Sequence, residues 1–163
     1  MISILDRKLL KDLYLQKISF DQFCKESQLR GDDNLIEIAV LKKDNELLEY
    51  LLSYYYYYGF DQCLCETVQD LLLADWHRQH EEIARILQFK MQCPESIGFL
   101  LEAIVKRYDY LFEQDDYYPF VRKCLNAIRS IGGVKAEIAL QELKEGTSDE
   151  EIKKLAMSQL SKM

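Results

Sequence analysis

The chain has little proline and glycine: Pro94 and Pro119 are its only prolines, and six glycines are spread over 163 residues. That leaves little room for a sheet architecture of many turns, because both residue types are needed where strands reverse. No GxSxG element, glycine-rich phosphate loop or HExxH segment occurs, so the motif-borne routes to acyl transfer, phosphoryl transfer and zinc hydrolysis are missing and no enzymatic activity is expected. No uninterrupted apolar run approaches the roughly 18 residues a membrane span needs. Asp6, Arg7 and Lys8 interrupt the start where a signal core would have to lie, so neither a membrane span nor an export signal is expected. Cations are outnumbered, with Lys and Arg at 21 against Asp and Glu at 28, for a formal charge of −7. Nucleic-acid phosphates need clustered Lys and Arg, so the balance disfavours direct nucleic-acid binding and suits a basic partner. The five cysteines, Cys24, Cys63, Cys65, Cys93 and Cys124, are odd in number and contain no CxxC. That pattern predicts reduced thiols and a cytoplasmic setting.

What is present is ordinary for a globular protein: 48% hydrophobic and 30% charged residues. No linker rich in Ser, Gly or Pro divides the chain, so residues 1–163 are predicted to form a single all-helical domain with a sizeable buried core. The most legible stretch is Asp115–Gly132. Pro119 suits a first helical turn, where its missing N–H costs nothing, and Gly132-Gly133 suits the far end. Between them Val121, Cys124, Leu125 and Ile128 recur at steps of three and four and draw one apolar stripe. Ala136, Ala139, Leu140 and Leu143 draw a second stripe, closed by Gly146. A further helix opens at Ser148, whose hydroxyl is predicted to cap the amide of Glu151.

Earlier segments follow the same logic. A first helix runs from about Ile4 to Gln16, with Leu5, Leu9, Leu10 and Leu13 on one side. Ser19-Phe20-Asp21-Gln22 reads as a capping box opening a short helix with Phe20 and Phe23. Gly31-Asp32-Asp33-Asn34 is a turn signal. Ile36, Ala39 and Val40 lead to Asp44-Asn45, beyond which Leu47, Leu48, Leu51 and Leu52 stripe a strong helix ended by Gly59. From Asp61 a helix uses Cys63 or Leu64, Val68, Leu71 and Leu72, and ends at Asp75 or Trp76. Ile83, Ile86 and Leu87 mark its successor, stopped by Pro94, and Ile97, Leu100, Leu101 and Ile104 the next. Tyr108 to Tyr118 reads as an acidic, aromatic connection.

The Asp115-Asp116 pair, Pro119, Val121-Arg122, a small apolar residue, Leu125 and Ile131-Gly132, followed by a short amphipathic helix, resemble a HEAT-like repeat. That resemblance implies an α-solenoid of stacked antiparallel helical hairpins, with the clearest repeats at 71–107 and 115–162. The chain departs from the pattern at Cys124, where the family prefers alanine, and at Arg129, where it prefers glycine. The triplets Ile83/Ile86/Leu87, Val121/Cys124/Leu125 and Ile152/Leu155/Ala156 are 38 and then 31 positions apart, and Ile97/Leu101/Ile104 precedes Ala136/Leu140/Leu143 by 39. These spacings fall near the lower edge of the ~40 to 47 residue period of such repeats. The resemblance also implies that Arg122 bonds an acidic residue of a neighbouring turn and ties one hairpin to the next.

Few groups could carry chemistry. His77 and His80, three apart with Glu81 beside them, could share a helix face as metal ligands, or could cap and pack beside the Trp76 indole. Cys63 and Cys65 point about 200° apart on a helix, too far apart to share an ion. They read as buried structural cysteines. Neither metal nor cofactor is expected.

The tyrosines say more. Tyr50 and Tyr54-Tyr55-Tyr56-Tyr57-Tyr58 close one helix, and five consecutive helical residues cover more than a full turn, so they cannot all face a core. Some pack inward and cover neighbouring helices, or Tyr54, Tyr55, Tyr57 and Tyr58 form an exposed aromatic ridge of the kind enriched at protein interfaces. Trp76 is a further partner-contact candidate. A second cluster joins Tyr108, Tyr110, Phe112, Tyr117 and Tyr118 to Asp109, Glu113, Asp115 and Asp116. It is either a solvated loop or a patch for Lys and Arg side chains, combining ion pairing with cation–π contact.

Leu71-Leu72-Leu73-Ala74-Asp75-Trp76-His77-Arg78-Gln79-His80-Glu81-Glu82-Ile83-Ala84, with the Val-Arg-Lys-Cys helix at Val121–Cys124, resembles short bacterial HEAT-like proteins of polymorphic toxin systems, including contact-dependent growth inhibition. The resemblance implies an immunity protein that binds a cognate toxin domain, a basic nuclease being the best suited, in the cytoplasm. Its carboxylates would either occupy the surface meant for nucleic-acid phosphates or hold the toxin away from its active site. Two other classes stay open. One is a general interaction scaffold; the other is a lyase acting on bilin pigments, which would need an exposed reactive cysteine or an acid in a cleft.

Overall fold

Short polar side chains set where the helices begin. In the computed structural model, which describes residues 2–30 and 35–163, Ser3 opens α1 (Ile4–Tyr14) by accepting from the amide of Asp6. Ser19 opens α2 (Phe20–Glu26) by accepting from Gln22, as its capping signature predicts, and Gln22 turns its own side chain to Glu26 instead of back to Ser19. The turn expected at Gly31-Asp32-Asp33-Asn34 lies outside the described residues. After α3 (Leu35–Lys42), Asp44 accepts from the amide of Leu47 and starts α4 (Asn45–Tyr58), which stops at Gly59 with φ +114°. A 3-10 turn over Gln62–Leu64 runs into α5 (Cys65–Leu73).

The remaining helices are α6 (His80–Phe89), α7 (Ser96–Lys106), α8 (Asp109–Glu113), α9 (Tyr117–Ile131), α10 (Gly133–Gly146) and α11 (Glu150–Leu160). The described residues contain no strand, so the all-α class holds. None of their helices is long and apolar enough to cross a membrane. Where one domain was expected, the helices gather into two compact units, Met1–Thr67 and Val68–Met163. Each closes an apolar core of its own.

In the amino-terminal unit α4 packs against α1 and α3, and α1 against α2. Leu9, Leu10, Leu13, Phe23, Ile36, Leu48, Leu51 and Leu52 fill the interior. Leu5, expected among them, is 58% exposed. Polar ties complete the unit. The buried Asp6 carboxylate accepts from Ser3 Oγ at 2.6 Å, Ser27 Oγ at 2.7 Å and the amide of Gln28 at 3.0 Å, fastening the start of α1 to the end of α2. Arg7 clasps the Asp44 carboxylate with both terminal nitrogens and reaches Glu46 at 3.0 Å.

In the carboxy-terminal unit α9 is the central element, with α6, α7, α8, α10 and α11 all packed against it. Val121, Cys124, Leu125 and Ile128, the stripe read from the sequence, are wholly buried. Full burial of each aliphatic side chain contributes about 1.5–3 kcal/mol. Pro119 lies in the first turn as predicted, and Gly132 and Gly133 hold φ of +72° and +75°, the left-handed region in which a helix can end and the next begin at once. Two details differ from expectation. The cap of α11 is Asp149, which accepts from the amides of Glu151 and Ile152, not Ser148; a carboxylate at a helix start gains from the macrodipole as well as the bond. The connection from Tyr108 to Tyr118 contains the short helix α8, which buries Leu111.

Candidate partner-binding face

The end of α5 positions this face. A helix leaves its last carbonyls without intrahelical donors. Here Leu71 accepts from His77 Nε2 at 2.9 Å and Ala74 from His80 Nε2 at 2.7 Å, while Leu72 accepts from the Tyr108 hydroxyl and Leu73 from Lys106 Nζ. The bonds fix both histidine tautomers. A backbone N–H can only donate, and that of Gln79 lies 3.1 Å from His77 Nδ1; that nitrogen is therefore the acceptor and Nε2 carries the proton. Ala74 O can only accept, so His80 also carries its proton on Nε2, and its Nδ1 takes the hydroxyl proton of Tyr110 at 2.8 Å.

Burial disfavours the charged imidazoles. It lowers His77 to about 4, against a smaller opposing pull from the Leu71 carbonyl. It lowers His80 to about 3, helped by repulsion from His77. Both rings are neutral at pH 7. Trp76 stands edge-on to His77 at 4.9 Å, His77 stacks on His80 at 4.5 Å, and His80 stacks on Tyr108 at 3.7 Å. Of the two roles the sequence allowed this histidine pair, capping beside the indole is the one its bonds fulfil.

The expected contact residues separate accordingly. Tyr54 and Tyr55 are 1% exposed and belong to the interior of the amino-terminal unit, so the aromatic ridge is corrected to its end, Tyr57 and Tyr58, at 52% and 51%. Phe20 stacks on Tyr57 at 5.3 Å and Tyr54 on Tyr58 at 5.7 Å. Tyr108 and Tyr117 are likewise buried, their hydroxyls bonded to Leu72 O and Ile104 O, and cannot offer rings to a partner. Trp76 is half-buried.

What remains on α8 and the start of α9 is an acidic, aromatic edge. Asp109, Glu113, Asp115 and Tyr118 are exposed and Asp116 half-buried. Asp115 holds φ +59°, which turns the chain sharply into α9. Phe112 stacks on Tyr117 at 4.3 Å, and the Arg107 guanidinium lies over both rings at 5.2 and 5.1 Å, so the aromatic part of the edge already holds one cation.

Beside this edge α6, α8 and α9 enclose a cleft of about 260 Å³, lined by Arg78, Gln79, Glu81, Glu82, Arg85, Tyr110, Leu111, Gln114, Asp116 and Lys123. Lys123 Nζ meets Glu81 Oε2 at 2.6 Å. The tie expected of Arg122 thus falls to its neighbour, since Arg122 is exposed and Lys123 faces α6. Sequence reading missed this pair, whose members lie 42 positions apart.

The thiols also differ from expectation. Cys65 and Cys93 are disulfide-bonded, whereas Cys24 and Cys63 are exposed and free and Cys124 is free and buried. Cysteine parity and spacing do not decide pairing; approach of the β-carbons in space does. Set against family models, curated proteins and solved structures, the chain finds no match.

Proposed function

We propose that this chain is an immunity protein, its helical hairpins stacked as a HEAT-like solenoid, that neutralises a cognate basic toxin domain, a nuclease, by direct binding. The observation that carries this reading is the edge formed by α8 and the start of α9, where exposed carboxylates of Asp109, Glu113 and Asp115 stand beside Tyr118 and Phe112 in a chain of net charge −7. Carboxylates attract Lys and Arg over distance, and aromatic rings hold them at contact. Long-range attraction speeds encounter, while ring contacts slow release. With Cys65 and Cys93 disulfide-bonded, the thiols no longer argue for a reducing compartment. The cytoplasmic setting rests instead on where a nuclease would do its damage.

Co-purification with the product of the adjacent gene tests the reading, followed by association rates at rising salt. A tight complex whose association slows steeply with ionic strength is expected. Absence of a complex, or a rate indifferent to salt, would count against it.

A further inference from the structure

We propose that α10 is the contact surface of a homodimer, in which it lies antiparallel against α10 of a second copy of this chain. Nothing in this contact depends on a toxin. The helix turns little of itself inward: Ala136, Ala139 and Leu140 are its buried residues. The opposite side carries Val134 and Ile138, 72% and 51% exposed, followed by Gln141 and Glu145. At 3.6 residues per turn these four share one stripe, and Val134 and Ile138, one turn apart, give it an apolar seam.

The charges beside the seam select its occupant. Lys135 and Glu142 are seven residues apart and border one side of the stripe; Glu137 and Lys144, also seven apart, border the other. Among the described residues none of the four has an ion pair, and Lys144 donates to the neutral Gln141 at 2.9 Å. Two antiparallel copies of a helix meet each border with the same border reversed. Lys135 of each copy then faces Glu142 of the other, and Glu137 faces Lys144, the self-complementarity that a two-fold interface requires. The first border places the dyad between Ile138 and Ala139 and the second between Leu140 and Gln141, about 3 Å apart along the axis and within the reach of flexible lysines. Ile138 and Gln141 of both copies close around it.

The helix ends select the direction. The first amides of α10 follow Gly132 and receive no side-chain cap, and its first turn holds no acidic residue. In the antiparallel pair Glu145 of the copy comes to this start and meets its positive partial charge. Its carboxylate accepts from Gln141 within its own helix and keeps further lone pairs for those amides. A parallel pair would set Glu145 against Glu145 and bring like dipole ends together. One helix face is smaller than the ~800 Å² per partner of a standard interface, so the dimer is weak and reversible.

The test is sedimentation velocity of the full chain over a concentration series. A monomer–dimer equilibrium with a dissociation constant of about 10 μM, weakening as salt rises, is expected. Ile138→Asp should leave monomer alone. Lys135→Glu should weaken the dimer by about tenfold, because the dyad applies the change twice. Lys135→Glu combined with Glu142→Lys should restore it to within about threefold of the wild type. An acid near the start of a helix and a base near its end suit the macrodipole, so these two changes should leave the melting temperature in place. A chain that stays monomeric to about 500 μM, or a dimer indifferent to Ile138→Asp, would overturn the proposal. So would a double variant as weak as Lys135→Glu, the result that a parallel pair gives. If the chain is monomeric and Ile138→Asp instead loses a co-purifying protein, the face belongs to that protein and the homodimer falls.

Discussion

The hydroxyl of Tyr110 gives its proton to Nδ1 of His80, 2.8 Å away, while the opposite nitrogen of that ring caps the end of α5 at Ala74. A side chain on α8 thus meets a histidine 30 positions earlier in the chain, whose other nitrogen closes α5. Burial raises Tyr110 to about 12, so the donor keeps its proton throughout the neutral range. Tyr110→Phe should retain the ring contact and lose the donor, costing about 1 kcal/mol in urea unfolding.

Acid should weaken the carboxy-terminal unit well above the carboxylate range. With His77 lowered to about 4 and His80 to about 3, the unfolded chain takes up protons near pH 6.5 that the folded chain refuses. Stability is therefore full above pH 6.5 and falls as pH drops towards 4, by about 1.4 kcal/mol per pH unit for each histidine. Asp6 and Asp44 act lower. At Asp6 burial opposes the charge, but the hydroxyls of Ser3 and Ser27 and the Gln28 amide prevail; at Asp44 the bond from Arg7 leads. Both are held below the usual aspartate value, so their stabilisation is lost only as pH falls beneath it. A melting curve that declines between pH 6.5 and 4.5, and declines less in His77→Gln, is the expected result.

The Glu81–Lys123 pair should show measurable coupling. Its two side chains are about one-third exposed, and a double-mutant cycle with Glu81→Gln and Lys123→Met should give about 1 kcal/mol. Arg122→Ala, at the exposed neighbour, should change unfolding free energy by less than about 0.5 kcal/mol.

Thiol reagents should sort the cysteines. Cys24 and Cys63 should be alkylated in the folded protein, and Cys124 only on unfolding, because it is buried and burial pushes its thiol up. The hydrogen bond to Asp61 raises Cys63, so Asp61→Asn should speed its labelling, followed by mass spectrometry. Cys65 and Cys93 should stay unlabelled until a reductant is added.

The parts that sequence made legible are those decided within one turn of chain. Pro119, Gly132 and the stripe from Val121 to Ile128 framed α9 because proline, glycine and apolar periodicity act locally. Ser19 marked a cap for the same reason. Ser148 and Asp149 show the limit, since both can cap and only the path of the chain selects the carboxylate. The tyrosines were harder still. Which of Tyr54 to Tyr58 are buried depends on Phe20 and Phe23, more than 30 positions earlier. The cleft was illegible because it is made by charges that meet only when α6, α8 and α9 are packed, and each looks in sequence like part of a solvated face.

The fastening of α5 has one further consequence. Its last turn is held by side chains lying up to 36 positions downstream, so it cannot be drawn out into the extended strand a protease must grip until Tyr108 leaves its place. Chymotrypsin, although offered Leu72, Trp76 and Tyr110 there, should spare this stretch in a brief digest and cut first after Tyr57 or Tyr58.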